Sequence, residues 1–190
     1  MAKVVQVTPN SITLRYRQEE GDDDYGACLW ADFLFNLDEY QLNINSDCGS
    51  YAYGWDTSPS EPFLKLMVRI NAGYLLGKIA KEDCVDVDAT RVHLDSLLRN
   101  EICDETLSES SAGYLMSRWE EELSYHRAPA ETVGALLNYI EDDGSNGLDW
   151  ESIDGAVVAD YSAGAKKIVE IFKGFIQPKI RELLEVKDNA

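Results

Sequence analysis

The chain has 190 residues, and its 35 acidic and 17 basic side chains give a net charge of −18 at neutral pH. This length suits one domain or two small ones, and the 45% hydrophobic fraction is ordinary for a folded protein. Nucleic acid and anionic membrane surfaces are negatively charged, so the composition argues against both as direct partners. It favours a basic protein or a nucleoprotein complex as the partner.

The sequence predicts a cytoplasmic protein with reduced cysteines. No apolar run approaches the ~20 residues of a membrane span, and the first residues lack the apolar core of a signal peptide. Cys28, Cys48, Cys84 and Cys103 are widely spaced and form no Cys-x-x-Cys pair. We therefore expect free thiols that pack as small apolar groups.

The first third of the chain has the pattern of an antiparallel sheet. Apolar and polar residues alternate strictly from Ile12 to Arg17, which is typical of a half-buried strand. Three more strands are predicted over residues 27–37, 40–45 and 51–55. The turns between the later strands are short and favour a four-stranded meander over parallel crossovers.

Helices are predicted from about residue 60 onward. A helix over 62–79, with Pro62 in its first turn, is expected to cover the apolar face of the sheet. Later helices are expected to start near Asp88, Thr106, Pro129 and Ala165, and Pro178 should kink or break the last one. The predicted fold class is α+β, with a mostly helical C-terminal half. We expect a single domain over residues 1–190, with lobes at 1–82 and 83–190.

One stretch of the sequence carries a family resemblance. Residues 46–55 read Ser-Asp-Cys-Gly-Ser-Tyr-Ala-Tyr-Gly-Trp, and Phe63 and Tyr-Leu-Leu-Gly-Lys-Ile at 74–79 follow. This arrangement resembles small uncharacterised proteins encoded by bacteriophages and mobile elements, over about residues 12–80. The resemblance implies a phage or prophage origin and action in the bacterial host cytoplasm, where small acidic phage proteins often act on defence or regulatory machinery.

The motifs of common catalytic, phosphate and metal sites are missing from the sequence. It has no Gly-x-Ser-x-Gly, no Gly-x-x-x-x-Gly-Lys and no Gly-x-Gly-x-x-Gly. A calcium loop starting at Asp142 would have Gly147 at the required glycine, but Ile153 stands where the bidentate Glu belongs. We therefore predict no cofactor and no metal, and we favour a protein that is not an enzyme.

Acidic charge is concentrated in the middle of the chain. Residues 101–160 hold fifteen acids and only two bases, Arg118 and Arg127, for a net charge of −13. Carboxylates near helix C-termini oppose the helix dipole, so their presence there suggests a use beyond stability, although a plain solvated face is the alternative. The predicted partner-binding residues are Glu120, Glu121, Glu122, Glu141, Asp142, Asp143 and Asp149.

Two functions from different classes fit these observations. The first is an inhibitor that presents carboxylates to a basic nucleic-acid-binding host protein, as a nucleic-acid mimic with an anti-CRISPR-like role against host defence. The second is a ligand-binding module or enzyme with a pocket between the sheet and the helices. Its candidate residues are Asp47, Tyr51, Tyr53, Trp55 and His93. A closed, dry contact between the Tyr-rich strand and helix 62–79 would leave no room for that pocket.

Overall fold

The computed structural model describes residues 10–22, 24–56, 61–125, 127–143 and 148–188, without the side chains of 141–143 and 187–188. The chain divides into two compact units. We call Met1–Lys81 with Ala163–Ala190 the sheet unit and Glu82–Ser162 the helical unit. The α+β class is confirmed. The sequence grouped residues 83–190 in one lobe, whereas the structure groups Ala163–Ala190 with the N-terminal residues because the last helix packs in the core of the sheet unit.

The sheet unit contains the predicted meander. Its strands are β1 (Ser11–Arg17), β2 (Trp30–Asn36), β3 (Gln41–Ser46) and β4 (Gly49–Gly54). They pair antiparallel in chain order. The register aligns Leu14, Phe33, Ile44 and Tyr51 in one row across the sheet, so the apolar positions of the alternating pattern share one face.

Two short helices stand where the sequence predicts a single helix over 62–79. They are α1 (Phe63–Arg69) and α2 (Ala72–Ile79). The side chain of Asn71 accepts a hydrogen bond of 2.8 Å from the backbone N–H of Tyr74, so it caps α2. Ile70 has extended backbone angles, which ends α1 one residue before the cap.

The last helical segment completes the core of the sheet unit. It consists of α7 (Ala163–Ile171), a π-helical turn (Phe172–Ile176) and α8 (Gln177–Asp188). Proline has no backbone N–H to donate to the preceding turn, and the interruption expected at Pro178 takes the form of this π-helical turn. Ile168, Phe172 and Ile180 are buried, and the ring of Phe172 lies 6.1 Å from that of Phe33 in β2.

Gln177 joins this segment to α1. Its side chain is buried, and its amide donates hydrogen bonds of 2.9 Å to the carbonyl of Met67 and 3.0 Å to that of Ile70. The amine of Lys173 donates a further bond of 3.2 Å to the Ile70 carbonyl. These bonds satisfy carbonyl groups that the end of a helix leaves without intrahelical partners.

The helical unit has a hydrophobic core of its own. Its helices are α3 (Val87–Cys103), α4 (Glu109–Leu123), α5 (Pro129–Asp143) and α6 (Trp150–Ala156). Leu94, Leu115, Leu136 and Ile153 are fully buried between them, and the indole of the buried Trp119 donates a hydrogen bond of 3.1 Å to the Leu136 carbonyl. Two short strands, β5 (Cys84–Val85) and β6 (Ala159–Asp160), pair antiparallel, so the chain enters and leaves the unit at neighbouring positions.

Candidate functional site

The helical unit carries most of the charge of the protein. Glu82–Ser162 contain 20 Asp and Glu residues, four Arg and no Lys, so the net charge is 4 − 20 = −16. The sheet unit contains the remaining 15 acids and 13 bases, for a net charge of 13 − 15 = −2. The acidic segment that the sequence indicated at 101–160 is therefore the larger part of one structural unit.

All four arginines of the helical unit form ion pairs within that unit. The pairs are Arg91 with Asp88 (3.0 Å) and Glu120 (3.5 Å), Arg99 with Asp95 (2.7 Å), Arg118 with Glu121 (3.4 Å), and Arg127 with Glu122. Apart from Arg127 and Glu122, these side chains are about half exposed or more, so their pairs contribute little to stability. Their effect on the surface charge is larger. All four arginine charges of the unit already lie beside a carboxylate, so the other carboxylates of the unit are not offset by them.

The structure distributes Glu120, Glu121 and Glu122 around α4. Consecutive residues of a helix point about 100° apart, so three adjacent carboxylates do not form a row. Glu120 pairs with Arg91 of α3, and Glu121 pairs with Arg118 one turn earlier on α4. Both side chains remain about half exposed, whereas that of Glu122 is only 12% exposed.

Glu122 connects α4 to α5. Its carboxylate contacts the guanidinium of Arg127 and accepts a hydrogen bond of 2.8 Å from the hydroxyl of Tyr139. The hydrogen bond from Arg127 lowers the pKa of Glu122, although burial acts in the opposite direction. The bond to Glu122 in turn raises the pKa of Tyr139. This carboxylate is therefore occupied by groups of its own unit.

Asp149 caps α6. It accepts hydrogen bonds of 2.8 Å from the backbone N–H of Ser152 and 2.7 Å from the Ser152 hydroxyl, and these bonds lower the pKa of Asp149. Glu141, Asp142 and Asp143 form the last residues of α5, but their side chains lie outside the part of the chain that the structure describes. That they share a surface with Glu120 and Glu121 stays a prediction.

Aromatic side chains fill the space beside β4 where the alternative hypothesis expects a pocket. Trp55 is 7% exposed, and its ring packs 4.8 Å from that of Tyr53 and 5.6 Å from that of Phe63 in α1. Its indole N–H donates a hydrogen bond of 3.2 Å to the hydroxyl of Tyr74 in α2. The amine of Lys78 lies 5.1 Å above the ring of Tyr53. The strand and the two helices are thus in closed contact here.

Two other candidate ligand-binding residues, Tyr51 and His93, belong to different units of the chain. The hydroxyl of Tyr51 donates a hydrogen bond of 2.8 Å to the carbonyl of Cys48, and His93 is exposed on α3 of the helical unit. A depression of about 390 Å³ between the sheet and the helices is lined by other residues, among them Tyr40, Phe63 and Leu184.

Asp47 belongs to a cluster with two cysteines, which we call the dithiol cluster (Cys28, Asp47 and Cys48). One ligand atom from each residue lies within 4.8 Å of the other two. The carboxylate of Asp47 accepts hydrogen bonds from the backbone N–H groups of Leu29 (2.8 Å) and Trp30 (3.3 Å) and from the Cys28 thiol (3.2 Å). These bonds lower the pKa of Asp47 against the opposing effect of burial. Burial, with the neighbouring Cys48 and Asp47, raises the pKa of Cys28.

Sequence reasoning missed the dithiol cluster, although the sequence contains a signal for it. The register pairs Ala31 with Ser46, so residues just before β2 lie beside residues just after β3. The sequence predicts both strands and the turn between them. Extending that hairpin by two or three residues would have placed Cys28 next to Asp47 and Cys48.

A comparison with protein families identifies the family of the chain. A family model described as a phage family matches residues 5–182. The chain belongs to this phage family. The resemblance noted on residues 12–80 is thereby confirmed, and the match extends through the helical unit. No curated protein and no solved structure matches the chain.

Membership of the phage family does not specify an activity. In the described part of this phage-family chain, no helix is both long and apolar enough to cross a membrane. Among the surfaces and clusters of the protein, the most pronounced chemical feature is the negative charge of the helical unit.

Proposed function

We propose that this phage-family protein acts in the host cytoplasm by binding a basic host protein or nucleoprotein complex through the acidic helical unit, without carrying out chemistry. The observation that carries the proposal is the net charge of −16 on one compact unit whose four arginines are all already paired. A negative electrostatic potential over a compact unit attracts a cationic surface from a distance and raises its rate of association.

The proposed partner is a protein that normally holds DNA or RNA. Such a protein displays Arg and Lys at positions that contact phosphate groups, and carboxylates bind the same side chains through charge-assisted hydrogen bonds. A phage protein that fills such a groove would inhibit a host nuclease, a CRISPR effector or a regulator by excluding its nucleic acid. Nucleic acid itself would be repelled by the helical unit.

The contact is expected on exposed carboxylates at the helix starts and turns of the helical unit. Asp104 and Glu105 lie in the turn between α3 and α4, Glu109 begins α4, and Glu131 lies in the first turn of α5. All four are exposed. Glu120, Glu121 and Asp149 remain candidates beside them, whereas we assign Glu122 to the structure of the unit because Arg127 and Tyr139 occupy its carboxylate.

Affinity capture from a bacterial lysate, with mass spectrometry of the bound proteins, tests the proposal. We expect nucleic-acid-binding proteins to be captured at low salt, to be released at high salt, and to be displaced by added duplex DNA or RNA. The test variant carries Asp104→Asn, Glu105→Asn, Glu109→Gln and Glu131→Gln. Glu105 is changed to Asn because the backbone φ of Glu105 is 59°. This value lies in the left-handed region, which Asn tolerates well.

A matched variant controls for the loss of four charges as such. It carries Glu19→Gln, Glu20→Gln, Glu39→Gln and Asp56→Asn, which are exposed acids of the sheet unit. We expect this control to capture the same proteins as the wild type and the helical-unit variant to lose them. Equal capture by both variants, or capture that neither salt nor nucleic acid weakens, would contradict the proposed mode of binding.

A further inference from the structure

We propose that the dithiol cluster is a binding site for a thiophilic divalent cation of the zinc class. The site lies in the sheet unit, where the loop before β2 meets the turn between β3 and β4. The inference is independent of the proposed function, which concerns the helical unit.

The chemistry of the three residues fits zinc better than a hard cation. Calcium and magnesium take oxygen ligands almost alone, whereas zinc accepts thiolate sulfur together with carboxylate oxygen. Cys28 and Cys48 supply two sulfurs and Asp47 supplies one oxygen. Three protein ligands leave one position of a zinc tetrahedron for water or another small ligand.

The distances are compatible with a tetrahedral site. Zinc bond lengths of about 2.3 Å to sulfur and about 2.1 Å to oxygen place those two ligand atoms about 3.6 Å apart. Cys28 Sγ and Asp47 Oδ1 are 3.2 Å apart, and all three ligand atoms lie within 4.8 Å of one another. Small rotations of the side chains would therefore bring the three atoms onto one cation, with the backbone unchanged.

The surroundings of Asp47 hold its carboxylate in the orientation that a metal ligand needs. Backbone N–H groups of Leu29 and Trp30 donate to its two oxygens, and carboxylate oxygens keep further lone pairs available to a cation. The cysteine thiols donate to Asp47 and to the carbonyl of Ala27. Cation binding would replace these thiol protons, with release of both protons to solvent.

Titration of the reduced, full-length protein with Co²⁺ under anaerobic conditions tests the site. Thiolate ligation of Co²⁺ gives a sulfur-to-metal charge-transfer absorption that carboxylates do not give, so the signal separates this site from the acidic surface of the helical unit. We expect one such Co²⁺ per chain, displaced by Zn²⁺. Cys48→Ser and Asp47→Asn should each weaken Co²⁺ binding by about tenfold or more. Substitutions around metal ligands in other proteins reduce metal affinity by a similar factor.

Cys103→Ser is the matched control, because Cys103 is an exposed thiol outside the cluster. Binding should be unchanged in this variant. A second readout needs no substitution: Zn²⁺ should protect the half-buried Cys48 of the wild type from alkylation, while the exposed Cys103 reacts as before. Absence of the charge-transfer signal, an unchanged Co²⁺ affinity in Cys48→Ser, or alkylation of Cys48 that Zn²⁺ does not slow would each overturn the assignment.

Discussion

Glu122 lies in the most acidic stretch of the sequence, yet its carboxylate contacts a guanidinium and a phenol of its own unit. Its neighbours Glu120 and Glu121 remain about half exposed on the same helix. Three identical residues in a row thus have different roles, because the helix turns each one towards a different neighbour. The role of a carboxylate in an acidic protein depends on the group opposite it.

The pH dependence of stability distinguishes Glu122 from its neighbours. The folded pKa of Glu122 is lowered from its ordinary value of 4.5, chiefly by Arg127. The charged carboxylate therefore stabilises the fold above pH 4.5, and this stabilisation is lost as the pH falls through the lower folded pKa. We expect Glu122→Gln to lower the Tm at neutral pH, and the difference from the wild type to vanish in acid.

Glu121→Gln is the control for this measurement, because the ion pair of Glu121 with Arg118 is half exposed and should contribute little. Thermal unfolding of the three proteins would be followed from neutral pH to well below 4.5. A Tm difference for Glu122→Gln that stays constant with pH, or that equals the difference for Glu121→Gln, would refute the structural role of Glu122.

Among the elements, α7 shows how closely a helix approaches the sheet. A methyl group at Gly164, in the first turn of α7, would lie 2.3 Å from the carbonyl oxygen of Cys48 in the turn between β3 and β4. The hydroxyl of Tyr51 donates a hydrogen bond to the same carbonyl. Only a residue without a side chain allows this approach, so Gly164 fixes the position of the helix start against the turn.

Gly164→Ala is expected to lower the free energy of unfolding by about 1–3 kcal/mol, because the backbone of the turn or of the helix must shift. Gly73→Ala in α2 is the matched control, since its nearest neighbour would be the Asn71 side-chain oxygen at 3.7 Å, an ordinary contact. The control should be neutral or more stable by up to about 1 kcal/mol. Urea unfolding of both variants measures the effect. Equal stability of the two would mean that the approach of α7 to the turn is not close.

The elements that depend on local signals were predictable from the sequence. Strict alternation predicted β1 within one residue of its observed start, and Pro129 predicted the start of α5. The break between α1 and α2 was missed because the helical spacing of apolar residues continues through it. In the structure, Ile70 is extended and ends α1, and Asn71 caps α2. The place of the last helix in the sheet unit could not be predicted, because it depends on the packing of Phe172 and Gln177 against distant residues.

The candidate site likewise combines features that the sequence predicts with features that depend on contacts between distant residues. Composition predicted the acidic charge of the helical unit without any knowledge of the fold. Which carboxylates are occupied was not predictable, because the partners of Glu122 come from α5 and the loop before it. The dithiol cluster depends on strand register, which the sequence indicates through the β2–β3 hairpin but does not show in the spacing of the cysteines.

For the whole molecule, the two units differ in charge far more than in size. The helical unit carries −16 and the sheet unit −2. Charges of one sign on a compact unit repel one another and destabilise it, and salt screens this repulsion, since the Debye length falls from about 30 Å at 0.01 M to about 10 Å at 0.1 M. The stability of the helical unit should therefore depend on salt more strongly than that of the sheet unit.

Hydrogen exchange of backbone amides, followed by mass spectrometry at low and moderate KCl, measures this difference within one molecule. We expect peptides from α3 to α6 to gain protection as salt is added, while peptides from β1 to β4 change less. The variant that neutralises Asp104, Glu105, Glu109 and Glu131 should respond less to KCl, because fewer like charges are left for salt to screen. A uniform response of both units would show that the repulsion is spread over the chain. The separation of charge on which the proposed partner binding depends would then have no energetic consequence.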